Sequence, residues 1–404
     1  MKIAVIRRIL ESVLVFCIIL EFYTPYMVFP TIKHVIQILP ILIVFCLILI
    51  SGYSISKRFN IQILTYWLGA LIPMLVINTH NYSSYIIRFV IFLPLIWIYL
   101  NLRKEKGIEN YLSLFYRYSN IVIILSIVSL IMWILCSILQ IIPPTMLIPF
   151  EWAPGTDFIT TYWGIYFETQ RVLLFGEWVW RNSGMFNEGP MYNMVLCIAF
   201  AIEFFMRPCK SKLKLFILTL TIITTFTTTG QFFLIGIIGW TFLRKVGYKY
   251  RTVLIIIFPF FLYIGYLIGC GIMDNKKETG GEKSMNLRSE DITYCLEAGM
   301  EHPILGLGIV QGEGEGLWRG KQIGRSNSIF AIFARGGVYV LTLYMGVLLL
   351  IPYLYYKKNK DTKWLFTMLC FFFIFTITSS YLKYLTFLFM AWGLSNINLK
   401  RWKS

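Results

Sequence analysis

Apolar runs long enough to cross a bilayer recur from one end of this sequence to the other, and no other feature restricts its fold so severely. They fall near residues 9–29, 34–50, 61–77, 85–100, 119–142 and 191–206, then near 213–229, 230–243, 252–272, 338–356, 364–380 and 383–399. Such a run reads as a membrane-spanning helix, because a helix satisfies its own backbone polar groups where no water reaches them. With 57% of 404 residues hydrophobic and 14% charged, a soluble core has no room for so much apolar surface. The expected fold is an all-α polytopic membrane protein, one integral membrane domain over 1–404 with about 12 transmembrane helices. The runs 213–229 and 230–243 are expected to meet at a tight turn around Gly230.

The net charge of +17 is distributed topologically. Lys57 and Arg58 lie in one connection, Arg103, Lys104, Lys106 and Arg117 in another, and Arg207, Lys210, Lys212 and Lys214 in a third. Arg244, Lys245, Lys249 and Arg251 follow, then Lys357, Lys358, Lys360 and Lys363, and finally Lys400, Arg401 and Lys403. Every second connection is basic, so the positive-inside rule puts both termini in the cytoplasm and two long segments, 143–190 and 273–325, outside. Basic residues placed between apolar runs do not form the continuous polar surface that nucleic acid requires, so no nucleic-acid partner is expected. The first run follows Lys2, Arg7 and Arg8, but Glu11 and Glu21 interrupt it and no small-residue cleavage site follows, so it reads as a retained helix. The cysteines stand singly without a CxxC pair, which suggests buried thiols and no metal site, with a Cys270–Cys295 bridge as a minor alternative.

Connections in compact proteins run about 4 to 6 residues, so the two long outer segments are where chemistry is expected. The first interleaves Tyr162, Trp163, Tyr166, Phe167, Trp178 and Trp180 with Glu168, Arg171, Glu177 and Arg181. This reads as an interfacial amphipathic segment, with a stacking platform for sugar rings as the sharper alternative. It closes on Arg181-Asn-Ser-Gly-Met-Phe-Asn187-Glu188-Gly-Pro190, where Pro190 suits the first turn of a helix and Asn187 or Glu188 its cap. The second segment predicts a short helix from Ser289, with Arg288 at its start and Ile292, Cys295, Leu296 and Met300 on one face. The turn-rich His302-Pro-Ile-Leu-Gly-Leu-Gly308 ends that helix. Gly312 to Gly316 resembles a phosphate loop only in its glycines, since Glu313 and Glu315 would repel phosphate.

Arg171, Arg181, Arg288, Arg325 and Arg335 all fall at or near the outer boundary, where the positive-inside rule gives them no reason to be. A guanidinium matches phosphate oxygens bidentately, so several at one depth suit a diphosphate headgroup. Ordinary anionic lipid, or pairing with Glu168, Glu177 and Glu188, is the alternative.

The Arg181–Pro190 segment resembles the "R-x-x-G-x-F-x-E-P" segment of the Wzy-type O-antigen and capsular polysaccharide polymerases, in a superfamily that includes the O-antigen ligases. His302–Gly308 resembles that family's "P-x-x-G-x-G" stretch, and Ser326-Asn327 followed by Gly336 its "S/H-N … G" stretch. Ser326 stands where ligases usually have histidine, which favours polymerase, and Gly189 intervenes before Pro190. The resemblance implies a metal-independent glycosyltransferase of the bacterial plasma membrane. It would join polyprenyl-diphosphate-linked oligosaccharides on the outer face, without a cofactor. A chain-length regulator and a flippase are its implied partners, beside membrane lipid. On this reading Arg181, Arg288 and Arg335 bind diphosphate, with Arg171 and Arg325 secondary. Glu188 is the general base, Asn327 orients sugar or phosphate, and Asn187 and Trp180 contact substrate. A ligase-type transferase and a flippase or transporter remain the alternatives.

Overall fold

The computed structural model describes residues 2–52, 56–76, 83–150, 158–174, 176–245, 282–309 and 317–397. The run at 252–272, the glycine-rich segment around Gly312–Gly316 and Cys270 lie outside the described residues; Cys295 is a buried free thiol. The chain is mostly helical. Among the described residues, helices Pro30–Ser51, Lys57–Val76, Ser83–Glu105, Ser113–Ile138, Gly189–Met206 and Ser328–Asn359 are long and apolar enough to cross a membrane. Thr362–Thr376 and Tyr384–Leu394 are shorter apolar helices, and Lys2–Glu21 is helical despite its charges.

Two expectations need correction. The break between helices Lys212–Thr224 and Thr228–Lys245 lies at Thr225–Thr227, not at Gly230. Gly230 sits in the first turn of the second helix, where a Cβ would stand 2.3 Å from Asn193 Oδ1; it is there for close packing. The segment 143–190, read as interfacial and amphipathic with a sugar-stacking platform as the alternative, is built on five strands. It forms an antiparallel sheet of β1 (Met146–Pro149), β2 (Phe158–Tyr162) and β3 (Tyr166–Glu168), then a hairpin of β4 (Arg171–Leu174) and β5 (Glu177–Trp180). Tyr162, Tyr166 and Phe167 are buried while Trp163 and Trp178 are exposed. The first three are therefore core residues of this sheet and not a surface platform.

The chain divides into two compact units. The first comprises Met1–Leu125, Ile198–Leu215 and Glu290–Ser404. At its centre runs Tyr384–Leu394, buried on every side, as a helix apolar all round must be. Phe389 stacks on Phe371 with ring centroids 4.0 Å apart, and Trp392 lies 4.2 Å from Phe115. Charge is buried here too. Glu11 accepts from Arg117 Nε at 2.6 Å and Tyr99 Oη at 2.5 Å, and Glu21 lies 3.3 Å from Arg88 and 3.8 Å from Lys383.

Helix Ser328–Asn359 is broken near its start, where Gly337 has φ +59°. In an unbroken helix Val338 N–H would donate to Ala334 and Tyr339 N–H to Arg335. Here Pro303–Gly308 inserts between them: Val338 N–H donates to Pro303 O (2.8 Å), Tyr339 N–H to Ile304 O (3.0 Å), Leu307 N–H to Ala334 O (2.9 Å) and Gly308 N–H to Arg335 O (2.8 Å). These four freed backbone groups thus each find a partner, the condition under which broken helices survive at membrane depth. The turn-rich stretch does more than end a helix; it splices one.

The second unit comprises Ser126–Cys197 and Phe216–Ser289. It carries the five strands, and Trp133 Nε1 donates to Trp180 O at 2.8 Å to tie the hairpin to its helix. Ser137 Oγ lies 2.7 Å from a Glu168 oxygen and 2.9 Å from Tyr166 Oη.

Candidate functional site

In the second unit the segment from Arg181 to Pro190 is fixed from below before it presents anything. Asn182 is fully buried; its N–H donates to Thr224 O at 3.0 Å, its amide to Thr224 Oγ1 at 3.1 Å, and its Oδ1 accepts Gly184 N–H at 3.2 Å. Gly184 takes φ +54° with the Tyr192 ring 2.9 Å from where a Cβ would be, and Phe186 stacks on that ring at 5.0 Å. Gly189 has Thr225 O at 3.0 Å and the Arg181 side chain at 3.5 Å from its own Cβ position. The glycine between Glu188 and Pro190 therefore lets Arg181 lie across the start of helix Gly189–Ala201.

The Glu188 backbone carbonyl accepts from Met191 and Tyr192 N–H at 3.1 and 3.2 Å, while its carboxylate accepts from Gln170 Nε2 at 3.2 Å. Burial pushes the Glu188 carboxyl above the usual carboxylate range; the Arg288 charge, the Gln170 hydrogen bond and the Arg181 charge pull the other way. Burial likewise lowers the proton affinity of Arg181, and Glu188 opposes that. Three polar atoms around this carboxylate, Arg181 Nε, Asn187 Oδ1 and Gln170 Oε1, are buried without a hydrogen-bond partner among the described residues. Buried polar atoms are normally satisfied; these three stand on residues that interact with Glu188 or adjoin it in sequence.

Arg288 is exposed and acts on Glu188 through its charge. It does not stand at the start of its helix, which runs Glu282–Glu301. Arg171 spends its guanidinium on the Trp180 ring, 4.1 Å from the centroid across the β4–β5 pair. Arg181, Glu188, Asn187 and Arg288 are thus brought together, with Arg171 and Trp180 as a stacked pair.

Arg325, Asn327 and Arg335 belong to the first unit. Asn327 is the N-cap of its helix: its Oδ1 accepts Ile329 and Phe330 N–H at 2.9 and 3.2 Å. That oxygen serves the fold. Arg335 is buried and donates to Ile323 O at 3.2 Å, whereas Arg325 is exposed.

Sequence reasoning missed the residue that organises this segment. Asp291, 4% exposed, accepts Gly324 N–H at 2.7 Å and Arg325 N–H at 3.2 Å on Oδ1, and Ser326 N–H at 2.8 Å and Ser326 Oγ at 2.6 Å on Oδ2. Of the four residues expected to share one face, only Cys295 is buried. Leu296 and Met300 are exposed, and the buried positions among the described residues of this helix are Asp291, Cys295, Ala298 and Gly299. A helix that packs through a carboxylate defeats a search for apolar periodicity. Gln170 was missed as well, and only the hairpin register brings it beside Glu188.

Compared with family models, with curated proteins and with solved structures, the chain gives no match.

Proposed function

We propose that this chain is a polysaccharide polymerase of the bacterial plasma membrane that joins polyprenyl-diphosphate-linked oligosaccharides on the outer face. The proposal includes about 12 transmembrane helices, cytoplasmic termini and the segments 143–190 and 273–325 outside. The observation that carries it is the buried Glu188 carboxylate, hydrogen-bonded by Gln170 Nε2 at 3.2 Å and under the charges of Arg288 and Arg181, with its proton affinity raised by burial. A carboxylate so tuned is suited to general-base work, and two guanidinium groups beside it suit a departing diphosphate. The resemblance of Arg181–Pro190 to the polymerase segment agrees with this assignment.

In the proposed step the acceptor hydroxyl oxygen forms a bond to the anomeric carbon of the donor sugar. The bond from that carbon to the diphosphate oxygen breaks, and its electron pair leaves with the diphosphate under Arg181 and Arg288. The hydroxyl proton passes to Glu188. The glycosyl diphosphate itself supplies the driving force, so alignment and charge stabilisation are what the protein must provide.

The test is a reaction of purified protein with a polyprenyl-diphosphate-linked repeat unit in the presence of a chelator and without nucleotide. A ladder of lipid-linked multiples is expected. Unchanged monomer, with a substrate shown to be cognate, would overturn the polymerase reading in favour of a ligase or transporter.

A further inference from the structure

In the first unit Glu11 ties together helices Lys2–Glu21, Ser83–Glu105 and Ser113–Ile138, and its carboxylate is already filled. Oε1 accepts from Tyr99 Oη at 2.5 Å and Ser113 Oγ at 2.9 Å, and Oε2 accepts from Arg117 Nε at 2.6 Å. Arg103 Nε stands 3.7 Å from Oε1, an ion-pair distance too long for a hydrogen bond.

Arg103 is only 5% exposed. Its Nη2 donates to Asn110 Oδ1 at 2.7 Å, while its Nε and Nη1 are buried without a hydrogen-bond partner among the described residues. Arg7 lies in the same field, since its charge and that of Arg117 both act on Arg103. Arg7 Nε is likewise buried without a hydrogen-bond partner. Three guanidinium groups thus share one carboxylate, which leaves the cluster with more positive charge than Glu11 can balance.

The positive-inside rule accounts for arginines near these helix ends but not for their burial. A cation placed only for topology can lie in water. A guanidinium does not shed its proton, so one that is buried calls for an anion or for acceptors around it. The anion that would complete this cluster must offer several oxygens at once, because the free N–H groups belong to two side chains. A phosphate group does so, and its oxygens match the guanidinium fork. Arg7 is half-buried and Arg117 is 23% exposed, so the cluster is open on their side. Ile3, Val5, Ile6 and Ile9 are exposed on the helix that carries Arg7, an apolar flank suited to lipid.

We infer that Arg7, Arg103 and Arg117 form a phosphate-binding site beside Glu11. The phosphate is the headgroup of a membrane phospholipid or free inorganic phosphate; the recognising chemistry is the same. The inference does not depend on the proposed glycosyl transfer.

The experiment measures binding to the purified full-length protein in a neutral detergent, with phosphatidic acid, diacylglycerol of the same chains and inorganic phosphate as probes. Arg7→Gln leaves the hydrogen bonds of Glu11 to Tyr99, Ser113 and Arg117 in place. Arg103→Lys keeps the charge and removes the fork. Arg58→Gln is the control for general surface charge. Arg58 is exposed and follows Ser51, whose carbonyl accepts Lys106 Nζ at 2.7 Å, so it belongs to the same basic end.

Arg7→Gln and Arg103→Lys are each expected to weaken phosphate binding about tenfold, with unchanged affinity in Arg58→Gln and no comparable binding of diacylglycerol. Binding of phosphatidic acid without inorganic phosphate assigns the site to a lipid headgroup, and equal binding of both assigns it to phosphate as such. Wild-type affinity in Arg7→Gln would overturn the inference, as would failure of both phosphate-bearing probes to bind. Equal weakening in Arg58→Gln would also overturn it, since that marks surface charge without a site.

Discussion

Gly306 lies against the backbone of Arg335 so closely that a Cβ on Gly306 would stand 2.3 Å from the Arg335 carbonyl carbon. Gly306 also has φ +70°, a conformation that costs an L-residue about 1 to 2 kcal/mol. The clash is with backbone, which cannot turn aside, so Gly306→Ala must push Pro303–Gly308 out of the broken helix and unpair the groups it satisfies. Loss of several kcal/mol is expected, read as a fall in the melting temperature of the detergent-solubilised protein. Gly52 has φ +75° with nothing within 4 Å of its Cβ position, and Gly52→Ala is expected to cost only the conformational strain.

The pH dependence of turnover follows from the sign of the Glu188 shift. Burial raises its proton affinity, and a base works when deprotonated, so the acidic limb of kcat/KM should lie above the usual carboxylate range. Arg288 draws that value down, so Arg288→Ala moves the limb to higher pH. Glu188→Gln abolishes the limb and lowers turnover by about 10²- to 10⁴-fold. For stability the sign is that of a group raised on folding. Its contribution is present below the unfolded value and lost as pH rises through the folded one. Retained polymerisation in Glu188→Gln would rule out the base.

The helices were legible because a bilayer accepts so few backbone solutions: apolar length alone marked Pro30–Ser51 or Ser113–Ile138. The local site was legible where its parts are neighbours in sequence, as from Arg181 to Glu188. The strands of 146–180 were not, because β1 finds β2 only across an intervening segment and the interleaved rings and charges suit either structure. Gln170 reaches Glu188 by the same kind of pairing, with Arg181 N–H donating to Gln170 O at 2.9 Å beyond the end of the hairpin. Asp291 was hidden for a different reason. Its value lies in backbone N–H groups more than thirty residues away, and backbone leaves no trace in composition.

Asp291 separates two consequences of truncation. Asp291→Ala leaves the N–H groups of Gly324, Arg325 and Ser326 without their acceptor, at about 1 to 3 kcal/mol for each buried one. Asp291→Asn keeps an acceptor oxygen for part of the set. Alanine is expected to destabilise the protein strongly and asparagine less. Faster hydrogen exchange is expected at 324–326 in both, because that is where the bonds end. Unchanged exchange there in the alanine variant would show that the turn holds itself.

Glu21, Arg88 and Lys383 offer the last test: Glu21 and Arg88 are buried, Lys383 is 14% exposed, and Glu21 is the acid that faces both cations. Arg88 also donates to Ser84 Oγ at 2.9 Å from within a π-helical stretch, Ile86–Phe92, and Tyr384 N–H donates to Glu21 at 3.2 Å. Removing one partner of a buried pair strands the other in a low dielectric, typically for about 3 to 5 kcal/mol. Glu21→Gln strands both Arg88 and Lys383, so it should lower the melting temperature more than Lys383→Met, which leaves the Glu21–Arg88 pair intact. The double variant Glu21→Gln, Lys383→Met should recover part of the loss, because one stranded cation has gone. Strict additivity in that double-mutant cycle would show that Lys383 and Glu21 are not coupled.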